Sequence, residues 1–347
     1  MRLQKEKIII WLTAITGIVL VSILIGYIRF RKTDTVRKNE ELTLIVTPTA
    51  YVSPVPTLEP STDINVLLLG YGGEGHDGGS LTDSITLADI NPKRSVVTLI
   101  SIPRDLWVNN NKVNEAYTQI NGAQAAKKAV SEVTNLQVKY YASVDFGGFT
   151  GIIDILGGIS VNVAHTFDDY FYPVKGKESG TCGKSPEDLK AINATMSGFL
   201  LEKEFTCRYE HIHFDKGIQN MNGETTLKFV RSRHSEQFGT DFARSERQRA
   251  VLIGLKDKLI SLGVVQKIDP LFQKLKSSFK TDIDLDAVKS FLSSHPDVSK
   301  FEVRHIYLNE NNVLKSSVGP QDQYILVPKA GDNNWSEVQK YIKDNLK

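Results

Sequence analysis

The run from Ile8 to Ile28 contains no charged residue and is bounded by Lys7 and Arg29. As a helix it would be about 31 Å long, which matches the hydrocarbon core of a bilayer. A retained membrane span is therefore expected at residues 8–28, preceded by a short head at residues 1–7. A cleavable signal peptide is the rival, but the apolar run exceeds the usual length of such segments, and Ile25-Gly26-Tyr27 lacks the small residues of a cleavage site. Basic residues flank the span on both sides, with Arg2, Lys5 and Lys7 before it and Arg29, Arg31, Lys32, Arg37 and Lys38 after it, so flanking charge alone weakly favours an orientation with the folded domain inside. Long domains translocate largely regardless of that charge, and so short a head leaves function to the rest of the chain. The expectation is a single-pass protein of the cell membrane, N-terminus inside and folded domain outside. Cys182 and Cys207 fit an exported domain if they pair.

Residues 29–63 include the stretch TPTAYVSPVPTLEPSTD (Thr47 to Asp63), whose prolines and hydroxyl residues make an extended linker. The folded part, residues 64–347, opens with INVLLL (Ile64 to Leu69), a continuous apolar run of the kind found in a strand buried on both faces. Two alternating runs follow, Ser84 to Ile90 and Ser95 to Ser101, joined by Asn91-Pro92-Lys93-Arg94, which reads as a hairpin. If Ile90 faces Ser95, Asp83 lies opposite Ile102, next to Pro103-Arg104-Asp105. Helix signals at Gly122 to Val133 and Asp145 to Leu156 enclose a strand at Val138 to Val144, and Gly158 to Val163 is another strand. The fold class expected is α/β: a three-layer α/β/α sandwich with a mixed, partly antiparallel sheet, preceded by one transmembrane helix. Residues 170–214 have little periodicity, contain both cysteines and read as an insertion. With 41% hydrophobic residues the chain can bury a full core.

Net charge is only +2, yet five arginines fall within Phe229 to Ala250 (FVRSRHSEQFGTDFARSERQRA). Arg231 and Arg233 follow the strand-like run TLKFV, which would point both to one strand face; Arg244 and Arg247, three apart after Asp241, would share a helix face. Arginine forks around one point suit a phosphate or pyrophosphate. The alternative is a solvated basic face neutralised by Glu236, Asp241 and Glu246. Arg249 stands off the face of the other two helical arginines. Gly70, Gly72 and Gly75 satisfy a dinucleotide-binding spacing, but a strand rather than a helix follows, so that motif is refused. Asp145-Phe146-Gly147 lacks the companion motifs of a kinase. A broad basic surface for nucleic acid is also missing.

Several pieces in strict order, INVLLLG, LTDSITLADINPKRSVVTLISIPRDLWV, KVNEAY, VDFGGFTGIIDILGGISVNV and VRSRH…DFARSERQR, resemble the LytR-CpsA-Psr family over about residues 64–260. The resemblance implies a membrane-anchored enzyme that transfers a phosphoglycan from a polyprenyl-pyrophosphate carrier onto peptidoglycan, with Mg²⁺ as cofactor. It implies Asp83 as a metal ligand and Arg104 as a pyrophosphate-contacting residue. Arg231, Arg233, Arg244 and Arg247 would be the remaining phosphate ligands, with Gln248 beside them and Lys112 in the matching KVNEAY piece as a further substrate contact. The family usually has an aspartate where this chain has Gly72, so the metal site needs another donor among Asp77, Glu74 and His76. Asp77 is preferred because Mg²⁺ favours hard oxygen ligands. Asp105 either orients Arg104 or accepts the proton of the attacking hydroxyl; orientation is the expected role. The polyprenyl tail needs an apolar groove, for which the helices at Gly122 to Val133 and Phe146 to Leu156 offer faces that would equally serve as core. A polyprenyl-pyrophosphate hydrolase and a non-catalytic, polymer-binding envelope protein are the alternative functions, and Gly72 favours the second.

Overall fold

A computed structural model describes residues 63–347 except Asp77, residues 264–271 and Lys274. The expected head, span and most of the linker, and the metal ligand expected at Asp77, lie outside the described residues. Among the described residues no helix is long and apolar enough to cross a membrane. The chain forms two compact units, one running up to Gly147 and resuming at Gly263–Lys347, the other comprising Gly148–Leu262.

The first unit begins with β1 (Ile64–Tyr71), β2 (Thr82–Asn91) and β3 (Val96–Ser101). The hairpin exists, but its register differs from the expected one: Ile90 faces Val97 and Asn91 faces Val96. The link is thus Pro92–Ser95, with Ser95 in the left-handed region at φ 53°. Short strands β4 (Trp107–Val108) and β5 (Asn111–Lys112) lead to helix α1 (Gly122–Thr134) and then β6 (Val138–Asp145). Asn121 does stand at the N-cap of α1, but its side chain accepts no capping hydrogen bond.

Helix α2 (Phe146–Ile155) carries the chain into the second unit. There follow β7 (Ile159–Val163), β8 (Phe167–Pro173), α3 (Pro186–Thr195), α4 (Gly198–Lys203), β9 (Tyr209–Phe214), β10 (Gly217–Met221), α5 (Gly223–Arg231) and α6 (Asp241–Ser261). Strands β7 and β10 pair antiparallel, as do β8 and β9. Helix α6 packs along β7. The approach is so close that a side chain at Gly254 would meet the Ser160 carbonyl at 2.5 Å. Cys182 and Cys207 form a disulfide that closes the excursion containing α3 and α4.

Returning to the first unit, the chain adds β11 (Lys280–Thr281), α7 (Leu285–Ser294), β12 (Glu302–Tyr307), the hairpin β13 (Leu314–Val318) and β14 (Tyr324–Pro328), and α8 (Ser336–Asn345). Among the described residues the main sheet has six strands in the order β11-β6-β1-β2-β3-β12. It is mixed: β6 runs parallel to β1 and β12 parallel to β3, while the other pairs are antiparallel. Leu67, Leu87 and Ile100 face one another across three strands, and all are fully buried. They share a core with Val130 and Val133 of α1 and Val338 and Ile342 of α8. Truncating one such leucine to alanine would cost roughly 3–5 kcal/mol. The apolar face of α1 is thus core. Val66, Ala88 and Leu99, of opposite parity, are buried too. Burial on both faces explains the unbroken apolar reading of INVLLL.

Candidate active site

Two groups of polar residues match the sequence expectations, one in each unit. In the first unit, the C-terminal ends of β1 and β6 lie beside the start of β2, with Tyr71 partnering both Thr82 and Asp145. The glycine-rich loop leaves from this edge and folds back on itself: Gly73 N–H donates to Gly79 O at 2.8 Å, and Gly79 N–H to His76 O at 2.8 Å. A side chain at Gly79 would collide with the Gly73 carbonyl at 2.1 Å, and at Gly73 (φ 84°) it would meet Asp145 Cβ at 2.9 Å. Gly73 and Gly79 therefore serve close backbone approach. Of the alternative donors, Glu74 is exposed and the His76 ring packs edge-on against Phe146 with centroids 5.1 Å apart.

Asp83 and Arg104 do come together. Continuing the observed register past Thr86↔Ser101 brings them level, and Arg104 Nη1 lies 2.5 Å from Asp83 Oδ1. The expected pairing of Asp83 with Ile102 is corrected by the two-residue shift at the turn. Asp105 sits between two cations, its Oδ1 accepting from Lys112 Nζ at 2.7 Å and its Oδ2 lying 3.5 Å from Arg104 Nε. Both oxygens are thus engaged with neighbouring cationic side chains. Lys112 is largely covered, with its side chain 17% exposed, and its ammonium is directed at Asp105. Burial pulls the Arg104 pKa down, but the hydrogen bond and charge of Asp83, and then Asp105, outweigh it, and the net shift is upward. This guanidinium stays charged under all ordinary conditions.

For a divalent cation, Asp83 is a half-exposed carboxylate whose Oδ2 is not the atom bonded to Arg104. Mg²⁺ commonly takes one or two carboxylates and completes its shell with water and substrate phosphate, so Asp83 suits one such position. Among the described residues no group of three or more His, Cys, Asp or Glu side chains is placed to hold a metal ion by itself.

The second unit holds the arginine segment. TLKFV is helical, not a strand, so Arg231 and Arg233 do not share a strand face. Arg231 is the last residue of α5, which Asn222 caps by accepting from Thr225 N–H at 2.8 Å; Thr226 and Phe229, three apart, turn inward. Local β-branched content is overridden by the cap and the helical spacing of the buried residues. The chain then extends at Ser232, with φ −51° and ψ 134°. Arg231 Nη1 donates to the Tyr172 hydroxyl at 3.2 Å, and its guanidinium lies 5.6 Å from the centre of that ring. Arg233 is exposed, and Arg244 and Gln248 are half-buried on α6. Helix α6 starts at Thr240, whose hydroxyl accepts from Ala243 N–H at 3.2 Å. Arg249 is exposed.

Arg247 departs most from expectation. It is 5% exposed, and its Nη2 donates to Ser232 O at 2.6 Å and its Nη1 to Phe238 O at 2.8 Å. Its guanidinium also lies 5.1 Å from the centre of the Phe167 ring. Burial, and then repulsion from Arg244, push its pKa down to about 10. The side chain ties the Ser232–Phe238 loop to α6, and that use of its donors argues against a phosphate contact.

Asp169, which sequence reasoning missed, is 1% exposed and lies beneath the same segment. Its Oδ2 accepts from Ser232 Oγ at 2.7 Å, Arg233 N–H at 3.0 Å and His234 N–H at 3.1 Å; its Oδ1 accepts from Phe171 N–H at 2.9 Å. Burial alone would raise its pKa, but the Ser232 bond and the three backbone bonds hold it below the usual carboxylate range. The signal was present in FDDYFY: with Phe167 facing inward, strand alternation sends Asp169 inward as well. The disulfide-closed excursion also reaches this segment, since Phe199 of α4 packs edge-on to His234 at 4.6 Å and Glu202 lies 3.5 Å from it.

The sheet topology, the TDS…PRD pairing and the RSR…R segment are together those of a LytR-CpsA-Psr protein, and the chain belongs to that family: the LytR_cpsA_psr family model matches residues 27–340. Among curated relatives, TagV of Bacillus subtilis, a polyisoprenyl-teichoic acid–peptidoglycan teichoic acid transferase by name, is 25% identical over 293 residues, covering 81% of this chain and 64% of TagV. TagU of Oceanobacillus iheyensis, named for the same activity, is 26% identical over 242 residues, 67% of this chain and 62% of that protein. The chain thus spans under two thirds of the length of these two relatives. TagU of Enterococcus faecalis is 27% identical over 290 residues, 81% of this chain and 79% of that one. The crystal structure of B. subtilis TagV matches with a TM-score of 0.57 at 24% identity, over 82% of this chain and 97% of that chain, a likeness of fold. The Lin1025 protein of Listeria innocua matches with a TM-score of 0.54 at 26% identity, over 82% and 99%.

Proposed function

We propose that this protein is a membrane-anchored phosphotransferase that moves a phosphoglycan from a polyprenyl-pyrophosphate carrier onto peptidoglycan, acting outside the cell membrane. The observation that carries this reading is the Asp83–Arg104–Asp105–Lys112 chain, in which ion pairs fix an arginine at one sheet end of a LytR-CpsA-Psr protein. The relatives named as teichoic acid transferases support the class of donor and acceptor. An anchor at residues 8–28 would keep the domain beside its lipid substrate.

Phosphoryl transfer asks little covalent chemistry of a protein, and positioning with charge stabilisation dominates. Arg104 would contact the diphosphate with the donors left over from Asp83, its plane fixed by Asp105. Arg231, Arg233 and Arg244 would be further phosphate ligands, while Arg247 supports their segment. Gln248, on α6 with Arg244, adds a neutral donor. Asp83 would hold Mg²⁺, with Asp77 as the second carboxylate; when bound, the ion supplies neutralisation of the diphosphate charge. A sugar hydroxyl of peptidoglycan would form the new P–O bond as the P–O bond to polyprenyl phosphate breaks, its proton passing to the departing phosphate or to solvent.

The test compares the parent with Arg231→Ala and Arg104→Ala in transfer from a synthetic polyprenyl-pyrophosphate glycan to peptidoglycan. Losses of about 100-fold or more are expected for each, in the range seen when one charge-stabilising donor is removed. A folded variant of either kind that transfers at the parent rate would refute the assignment. Release of free glycan phosphate without covalent attachment would instead identify a hydrolase. Gly72, which removes a usual carboxylate, favours a non-catalytic polymer-binding role, and metal-stimulated turnover lost in Asp83→Ala excludes it.

A further inference from the structure

A carboxylate that is 1% exposed ordinarily needs a cation beside it. The direct partners of Asp169 are instead a hydroxyl and three backbone N–H groups, and three of these four donors belong to consecutive residues, Ser232, Arg233 and His234. One oxygen gathers all three. That arrangement fixes the φ and ψ angles of the segment directly after the helix that ends at Arg231. On its other side, the Ser232 carbonyl is held by Arg247 Nη2 at 2.6 Å. Ser232, itself fully buried, is thereby clamped through its hydroxyl by an anion and through its carbonyl by a cation.

We propose that Asp169 is the positioning residue of the arginine segment: its carboxylate sets the backbone from Ser232 to His234 so that Arg231 and Arg233 meet one pyrophosphate group in a fixed relation. Asp169 touches neither substrate nor either guanidinium in this role. The proposal rests on the reading of Arg231 and Arg233 as pyrophosphate ligands. It predicts that arginine charge alone is insufficient and that the anion affinity depends on a side chain of strand β8, distant in sequence. Asparagine is the informative replacement. Its carbonyl can still accept from part of the Ser232–His234 group, but its amide then turns a donor toward the Phe171 N–H.

The experiment measures binding of inorganic pyrophosphate to the full chain in detergent by titration calorimetry, with chelator present so that no metal contributes. The parent should bind, and Arg233→Ala should weaken binding. Asp169→Asn should weaken it by about tenfold, and adding Arg233→Ala to Asp169→Asn should cost little more, because residues that act as one unit are not additive. Arg244→Ala, on α6 and outside the Ser232–His234 segment, should by contrast lose its full increment in both backgrounds, which a general loosening of the fold would not give. An Asp169→Asn protein that binds like the parent, or in which the Arg233→Ala loss remains in full, overturns the proposal. Should Asp169→Asn fail to fold, Ser232→Ala removes one of the three donors to the same oxygen; binding about threefold weaker is expected, at the scale of one neutral hydrogen bond, and parent-like binding overturns the proposal. A folded parent that binds no pyrophosphate, with Arg233→Ala indistinguishable from it, refutes the site reading itself and the positioning role with it.

Discussion

Arg247→Ala separates the two roles an arginine can have in this segment. Ser232 is fully buried, so removing the guanidinium leaves its carbonyl without a donor and out of reach of water, at a cost of about 2 kcal/mol. The carbonyl of half-buried Phe238 adds about 1 kcal/mol, and the contact with the Phe167 ring about 0.5–1 kcal/mol more. Part of this is offset because a charge that burial disfavours is no longer buried, which leaves a net loss of about 3 kcal/mol. For a cooperative unit of this size that corresponds to a melting transition about 10 °C lower. Arg233→Ala, at an exposed position, should change stability by about 0.5 kcal/mol or less while lowering transfer far more. Scanning calorimetry of the purified chain can resolve the transitions of two compact units. If Arg247→Ala melts with the parent yet loses transfer as completely as Arg233→Ala, its two backbone bonds do not describe its role, and Arg247 is a ligand after all.

The Cys182–Cys207 bridge closes a loop of 25 residues, for which chain entropy gives about 3 kcal/mol; the double alanine variant should melt correspondingly lower by calorimetry, and unchanged melting would remove the bridge as a source of stability. His213, held by Asp168 and then Asp215, should titrate above the usual histidine value in ring NMR spectra, and Asp168→Asn should bring it down; the contact then stabilises below about pH 6.5 and fades as pH rises through the folded value. A His213 resonance already titrating normally in the parent would contradict this. Asp169 has a depressed pKa, so its contribution is complete above the unfolded carboxylate value, about pH 4, and is lost as pH falls through the folded one. The denaturant midpoint of the parent should therefore fall on acidification more steeply than that of Asp169→Asn, and parallel curves would argue against an ionised Asp169.

Much of the first unit was legible because its signals are local. INVLLL is buried on both faces, the alternating runs do pair, and Asp83 and Arg104 meet even though the turn shifts the register by two residues, because both residues stay at the same sheet end. The second unit was harder to read where side chains with a charge have structural work. Position 247 lies on the stripe Ala243, Arg247, Val251, Leu255 and Leu259, each four residues apart and all buried, so the helix period placed it inside; its charge drew the opposite reading. Asp169 carried a similar clue in strand alternation with Phe167. The TLKFV run was misread because β-branched residues outweighed the Asn222 cap and the Thr226–Phe229 spacing. For Arg247 and Asp169 the periodicity was in the sequence, but burying a charge becomes credible only once its partners, distant in sequence, are known.

The two units hold their arginines by opposite electrostatic means. Asp83, Arg104, Asp105 and Lys112 form a chain of side-chain ion pairs with two positive and two negative groups, so the cluster is neutral in sum and its value lies in direction. Asp169 instead grips the second segment through backbone N–H groups and a hydroxyl, so it orders Arg233 without laying a carboxylate against the guanidinium. Order and charge are thereby supplied by different atoms. A surface carboxylate paired to Arg233 would give order only by cancelling much of the field that attracts an anion. Placing the Asp169 carboxylate under the backbone keeps its own charge off that guanidinium, at the price of burying an anion that four hydrogen bonds must then satisfy. Such a design is weakened by a missing donor at Ser232, whereas a lysine at position 233 would keep the field and lose only the planar fork.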